Sequence, residues 1–343
     1  MRKVNRILLA FSTIFFFFFS NLSCKELNGE EKDLTNEQID IKNLKKFFQY
    51  LNQICLSQKL FKNLKKHKSY PKFGSIEDWE KTCEKIRKKS GYTLDFVRRN
   101  FRLISLQNKK GLLTGYYEPL IKISKIKNDN YKFPILKFNE KFVGIPRKSI
   151  ESNYKKSDVL LWTNNKIDLF FLQIQGSGIG IFPDQQKVKI LYSGNNEKEY
   201  RSIGKLLIRK NLIKKKDVSL FTIKEFLKNN KNLINEIFNY NERYIFFNID
   251  NYDNNSAYGA LGMNLEPNVS IAIDKKYYPL GLPFLFRAND KDKLFLAIAS
   301  DTGSAIIGPN RADLFTGSGK LSEEIAGNLK KKLILYVLVP YSN

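Results

Sequence analysis

The hydrophobic periodicity changes at Gly111, and no other feature narrows the possible folds as far. Before it, from Asn43 to about Leu64, Leu44, Phe47, Phe48, Leu51, Ile54 and Cys55 recur at the three-and-four spacing of one helix face. Ser75-Ile76-Glu77-Asp78 offers a capping box for a second helix that Gly91 closes, and a short helix is expected over Thr93 to Phe101. After Gly111 come short apolar runs divided by turn residues: LLTGYYEPLIKI, FPIL, LFFLQIQGSGIGIF, KVKILYSG, YIFFNI, VSIAID, PFLFRA, LFLAIAS and LILYVLVP. Such runs predict strands of a barrel or sandwich. Helices are expected only over Ser202 to about Leu212, Thr222 to Asn239 and Glu323 to Leu329. The chain is therefore mainly β with helices at its N-terminal end, and shows no internal repeat.

A length of 343 residues suits one large domain or two moderate ones. The formal net charge of +25 points toward an anionic partner, a membrane surface or an acidic polymer. The lysines are spread almost everywhere, however, so the charge also reads as a compositional habit, and no nucleic-acid partner is expected.

MRKVNRILLAFSTIFFFFFSNLSC has the form of a secretory signal over residues 1–23. Arg2, Lys3 and Arg6 precede an apolar run, Ile7 to Phe19, that is short for a membrane span. Leu22-Ser23-Cys24 resembles a bacterial lipoprotein processing site, with Cys24 as the acylated residue, although Asn21 stands where an apolar residue is usual. Residues 24–42 read as a polar tether. In an exported chain Cys55 and Cys83 would form a disulfide stapling two helices, or else remain as two buried thiols. With three cysteines and one histidine, His67, neither a metal site nor any cofactor is expected. Asp250 and Asp253 give only a faint calcium-loop pattern.

Ser300 to Phe315, SDTGSAIIGPNRADLF, holds two aspartates twelve positions apart and no imidazole. Asp301 should emerge at the end of the buried strand LFLAIAS. Gly303 and its small neighbours allow close backbone approach, and Asp313 could return to the same cleft in the loop that follows. A carboxyl near apolar walls and a second carboxylate has a raised pKa and can donate a proton near neutrality. Two such groups can cleave a glycosidic bond; the plainer alternative is that both cap turns. Asp301-Thr302-Gly303-Ser304 also matches the aspartic-peptidase signature, but there is no second copy of it, and Ser300 stands where an apolar residue is expected. Further candidates are Thr114, Gly115, Tyr116 and Tyr117, whose tyrosines should lie on opposite strand faces. Others are Gln175, Gly176, Ser177 and Gly178 at the end of an expected strand, and Tyr192, Tyr200, Arg201 and Ser202 leading into a helix. Tyrosines suit sugar rings, and an arginine suits a substrate carboxylate.

Together LLTGYYEP (112–119), QIQGSG (173–178), YSGNNEKEYRSIGKLLI (192–208), VSIAIDKKYYPLG (269–281) and SDTGSAIIGPNRADLFTGSG (300–319) resemble the membrane-bound lytic murein transglycosylase A family of bacteria. The resemblance implies a double-psi β-barrel, the 3D domain, built from residues 43–117 and 241–343, with a smaller β-barrel domain inserted over 118–240. It implies a groove for peptidoglycan glycan strands and cleavage of the bond between N-acetylmuramic acid and N-acetylglucosamine with 1,6-anhydro ends. Asp313 would be the single acid/base, Asp301 would lie beside it, and Asp274 would be structural. Thr114, Gly115, Tyr116, Tyr117, Gln175, Gly176, Ser177, Gly178, Tyr192, Tyr200, Arg201, Ser202 and Gly303 would bind substrate. Ile307 departs from relatives that carry lysine there. A monomeric outer-membrane lipoprotein facing the periplasm, or a soluble periplasmic enzyme, is the expected form.

Overall fold

The computed structural model describes residues 30–342 except 33, 36, 71, 90, 106–110, 254–256 and 289–292. The expected signal peptide and Cys24 lie outside the described residues. A short strand, β1 (Glu30–Lys32), precedes four helices: α1 (Leu44–Leu56), α2 (Lys59–Lys66), α3 (Ile76–Lys88) and α4 (Leu94–Asn100). Then follow β2 (Phe101–Ser105), β3 (Gly111–Glu118), β4 (Leu120–Ser124), β5 (Phe133–Leu136), α5 (Arg147–Asn153), β6 (Val159–Thr163), α6 (Lys166–Gln175), β7 (Gly178–Ile181) and β8 (Lys187–Asn195). Next are α7 (Ile203–Arg209), α8 (Leu220–Asn229), α9 (Ile234–Tyr240), β9 (Ile245–Asn251), β10 (Ser270–Ala272), β11 (Pro283–Arg287) and β12 (Phe295–Asp301). The chain ends with β13 (Arg311–Ser318), α10 (Gly319–Asn328) and β14 (Lys330–Pro340).

Strands β14, β11, β12, β10, β13 and β3 pair in that order, and β3 pairs back to β14, which closes the ring. The pairs β10–β12 and β13–β3 are parallel and the others antiparallel. This is the double-psi barrel; closure leaves its own strands without a free edge. β2 and β1 extend it outward from β14. The second sheet runs β5-β6-β4-β7-β8-β9, curled around Ile121, Ile123, Ile135, Leu161, Ile190, Ile245 and Phe247. It forms the smaller inserted barrel. β9, which follows the expected end of the insertion at 240, pairs with β8 in this second sheet.

The N-terminal helices cover the first barrel. Phe47, Phe48, Leu51 and Ile54 of α1 and Trp79 and Ile86 of α3 are buried in the same core as Phe284, Ile298 and Val337. Each such side chain contributes about 1.5–3 kcal/mol by leaving water. A Cys55–Cys83 disulfide joins α1 to α3. Part of the expected tether is folded: β1 pairs with β2, and Leu34 and Ile39 are buried. Beside these two apolar side chains, Ile39 bridges to Leu294 and Glu37 pairs with Arg287, which binds the stretch down.

Three expected elements change. The helix expected over 43–64 breaks at Gln58, whose φ of 59° starts α2 afresh. That over 222–239 breaks after Asn229 into α8 and α9. LFFLQIQ is helix, not strand: Asn165 caps α6 by accepting from the Ile167 and Asp168 amides, and Gly176 ends it at φ 86°. Leu169 and Leu172 face the sheet core while Phe170 and Phe171 face Ile203, Leu207 and Phe238. A helix buried on two sides is apolar nearly all round and imitates a buried strand.

Candidate active site

The two aspartates are set by strand register. Ala272 of β10 is level with Asp301 of β12 on one side and Asp313 of β13 on the other. Asp301 ends its strand as expected, whereas Asp313 is not in a loop. It lies in β13, which pairs with β10 and with β3. On β3, Thr114 is level with Asp313, and Thr114 and Tyr116 share a face because strand side chains alternate.

Asp301 is partly buried and accepts three hydrogen bonds. The amides of Ala260 and Thr302 donate to Oδ1 at 2.8 and 2.9 Å, and the Tyr116 hydroxyl donates to Oδ2 at 3.0 Å. Burial pushes its pKa up, and these donors pull it back. Asp313 has fewer donors. Burial is the chief cause that raises its pKa to about 6; Asp301 raises it further, while Arg311 and Thr114 oppose. The Thr114 hydroxyl donates to Asp313 Oδ1. Arg311 Nη2 donates to Thr114 Oγ1 at 2.7 Å, and Nη1 donates to the carbonyls of Leu112 and Ala312. Two carboxyls with unequal environments can divide the work of anion and acid.

From the inserted barrel, Tyr200 reaches this place. Burial raises its hydroxyl pKa, Ser202 pulls it down, and the negative charge of Asp313 raises it. Ser202 also caps α7 by accepting from the Lys205 amide at 3.3 Å. Asp301, Asp313, Thr114, Tyr116 and Tyr200 are thus brought together.

Other expected contacts are placed differently. Tyr117 points to the opposite face, as its position requires, and its hydroxyl donates to Glu323 at 2.9 Å. Gly115 is where α10 crosses: a Cβ there would stand 2.8 Å from the Ala326 Cα. The Tyr117 amide donates to Gln175 Oε1 at 3.2 Å, and Gly178 lies against Pro119 and Leu172. That places Gln175 and Gly178 at the junction of the two sheets, while Gly176 ends α6 in the left-handed conformation with open space where a Cβ would stand. Tyr192 is 51% exposed and accepts from Asn195 Nδ2 at 2.6 Å. Arg201 pairs with Glu242 at 3.6 Å, leaving much of its guanidinium in solvent. Gly303 and Ile307 are exposed in the turn after β12. Asp274 holds that turn by accepting from the Gly308 amide at 2.8 Å. His67 contacts the Lys275 carbonyl at 3.2 Å, at the end of α2. Arg311 is not among the sequence candidates; its signal is the Arg-x-Asp alternation that puts it on the face of Asp313.

Among the described residues, no group of three His, Cys, Asp or Glu side chains could hold a metal, and no helix is long and apolar enough to cross a membrane.

The chain matches two family models, an MltA specific insert domain over residues 112–248 and a 3D domain over 269–339. The first reaches into β9. A membrane-bound lytic murein transglycosylase A homolog of Buchnera aphidicola is 29% identical over 94% of this chain and 91% of its own length. The membrane-bound lytic murein transglycosylase A of Vibrio cholerae is 30% identical over 64% of this chain and 62% of its own. A crystal structure of E. coli MltA with bound chitohexaose superposes with a TM-score of 0.75 at 23% identity, over 91% of this chain and 95% of that one. With both characteristic domains present in order and a relative aligned along nearly its whole length, the chain belongs to the membrane-bound lytic murein transglycosylase A family.

Proposed function

We propose that this protein is a peptidoglycan lytic transglycosylase in which Asp313 is the single acid and base. The observation that carries the assignment is the inequality of the two carboxyls. Asp301 accepts three hydrogen bonds that favour its anion against the burial that raises its pKa, whereas Asp313, desolvated beside it with fewer donors, has its pKa raised to about 6. Protonated Asp313 donates to the oxygen linking N-acetylmuramic acid to N-acetylglucosamine. The C1–O bond breaks, the leaving sugar departs as an alcohol, and the muramoyl ring becomes oxocarbenium-like. Asp313, now a carboxylate, takes the proton of the C6 hydroxyl on the same ring. That oxygen bonds to C1, closing a 1,6-anhydro ring and restoring the acid without consuming water. A nucleophile tethered to the reacting carbon has an effective molarity on the order of 10⁵ M or more, so a second catalytic carboxylate is unnecessary.

Glycan strands are the substrate, taken from their ends, and the bound chitohexaose of the E. coli relative supports a sugar-binding groove. Tyr116, Tyr200 and the more exposed Tyr192 and Arg201 contribute to it. Gln175, Gly176, Ser177, Gly178 and Gly303 support its walls. The protein acts as a monomer in the cell envelope, facing the periplasm and held at the outer membrane through acylated Cys24. The net charge of +25 favours a polymer that carries lactyl and peptide carboxylates. Asp313→Asn tests the assignment: release of muropeptides should stop while binding to isolated sacculi persists. A variant with near-normal turnover would overturn it.

A further inference from the structure

We propose that Arg311 and Thr114 are positioning residues that occupy Oδ1 of Asp313 and so reserve Oδ2 for the proton that is transferred. This deepens the acid/base reading of Asp313 and rests on it. The argument is one of donor direction. A guanidinium has donors only, so the 2.7 Å contact from Arg311 Nη2 requires the Thr114 oxygen to accept. A threonine hydroxyl owns one proton, and its remaining partner here is Oδ1 of Asp313. The direction is therefore fixed from Arg311 to Thr114 to Asp313. In a protonated carboxyl the carbonyl oxygen is the natural acceptor. A proton on Oδ1 would point at the Thr114 proton, so the acid proton rides on Oδ2.

The backbone makes this arrangement rigid. In the parallel pair β13–β3, Arg311 is level with Leu112 and Asp313 with Thr114. Arg311 Nη1 is fastened to the carbonyls of Leu112 and Ala312. The guanidinium consequently reaches Asp313 through a hydroxyl and not as a direct ion pair. A fork-on-fork pair would engage both carboxylate oxygens and hold the acid ionised. The other groups that bear on Asp313 are Asp301 at the end of β12, Tyr116 on β3 and Tyr200 before α7.

The test uses the intact protein with Thr114→Val and Thr114→Ser. Titration of the Asp313 side-chain carboxyl by ¹³C NMR, without substrate, reads the relay directly. Removing a donor that favours the anion should raise the midpoint in Thr114→Val by about one pH unit. On murein, kcat should fall roughly tenfold or more, while KM stays within about twofold. Thr114→Ser should restore both. Unchanged midpoint and turnover in a folded Thr114→Val, or a failure of serine to restore them, overturns the relay. Should the valine variant not fold, Arg311→Gln carries the same test, because it keeps the hydroxyl but removes the cation that orients it. A wild-type enzyme that makes no anhydro ends would defeat the acid/base reading, whereas the NMR midpoints would still decide the relay.

Discussion

The Tyr116 hydroxyl donates a 3.0 Å hydrogen bond to Oδ2 of Asp301, joining β3 to the far side of the two-carboxylate cluster. Both groups are affected by it: burial and the Asp301 charge push the tyrosine pKa well above its ordinary value, and the donor pulls the Asp301 pKa down against the burial that raises it.

Tyr116→Phe should therefore act at a distance on Asp313. With one donor lost, Asp301 binds a proton more readily, and its charge no longer raises the pKa of Asp313 as strongly. The acid form of Asp313 is the productive one, so activity falls as pH rises through about 6 in the parent protein. In the variant that descending limb should move to lower pH, and kcat/KM near neutrality should drop several-fold, roughly the effect of half to one pH unit. A limb that stays in place would separate Tyr116 from the proton chemistry.

Asp313 should cost stability in order to serve as an acid. Its folded pKa, about 6, lies above the unfolded value of 3.8. The folded state then binds more protons between those values, and stability declines as pH rises across them. Asp313→Asn should raise Tm at pH 7.5 by a few degrees, corresponding to about 1–2 kcal/mol after allowance for the partly open position. The difference should vanish near pH 3.5. Calorimetry at the two pH values checks both the sign and the window.

Gly115 has a packing role that a substitution should expose. Its missing Cβ admits the α10 backbone at Ala326. Gly115→Ala should destabilise the fold by about 1–3 kcal/mol, as overpacking does. The pH dependence of the remaining activity should be unchanged, since the alanine does not touch the carboxyls.

The Cys55–Cys83 bridge spans a sequence separation of 28. Replacing both residues with serine should lower stability by about 3.5 kcal/mol on the chain-entropy estimate. Turnover at 25 °C should change little, because neither cysteine is among the groups that bear on Asp301 or Asp313. Mass measurement with and without reduction, before alkylation, reads the bridge itself.

The division into a helical front and a β-rich remainder was legible from periodicity, because the front buries one helix face and the barrel strands bury nearly whole runs. LFFLQIQ was misread for a physical reason: α6 is packed on two sides, which erases the helical period. The site was legible in part. Asp301 could be placed because LFLAIAS is unbroken and apolar, and Tyr116 and Tyr117 could be assigned opposite faces. Which face looked inward depended on pairing between β3 and β13, 199 residues apart at Thr114 and Asp313. The same pairing made Arg311 part of the site. Gly115 and Gln175 stand in motifs with the substrate candidates, yet their positions are explained by close backbone approach and by a hydrogen bond across the sheet junction.

Complete digestion of purified murein by the wild-type protein, with mass spectrometry of the released muropeptides, is the most direct measurement. If Asp313 returns its proton by way of the C6 hydroxyl, the muramoyl ends are 1,6-anhydro rings, each one water lighter than a hydrolysis product. Open, reducing muramoyl ends as the main product would contradict this chemistry.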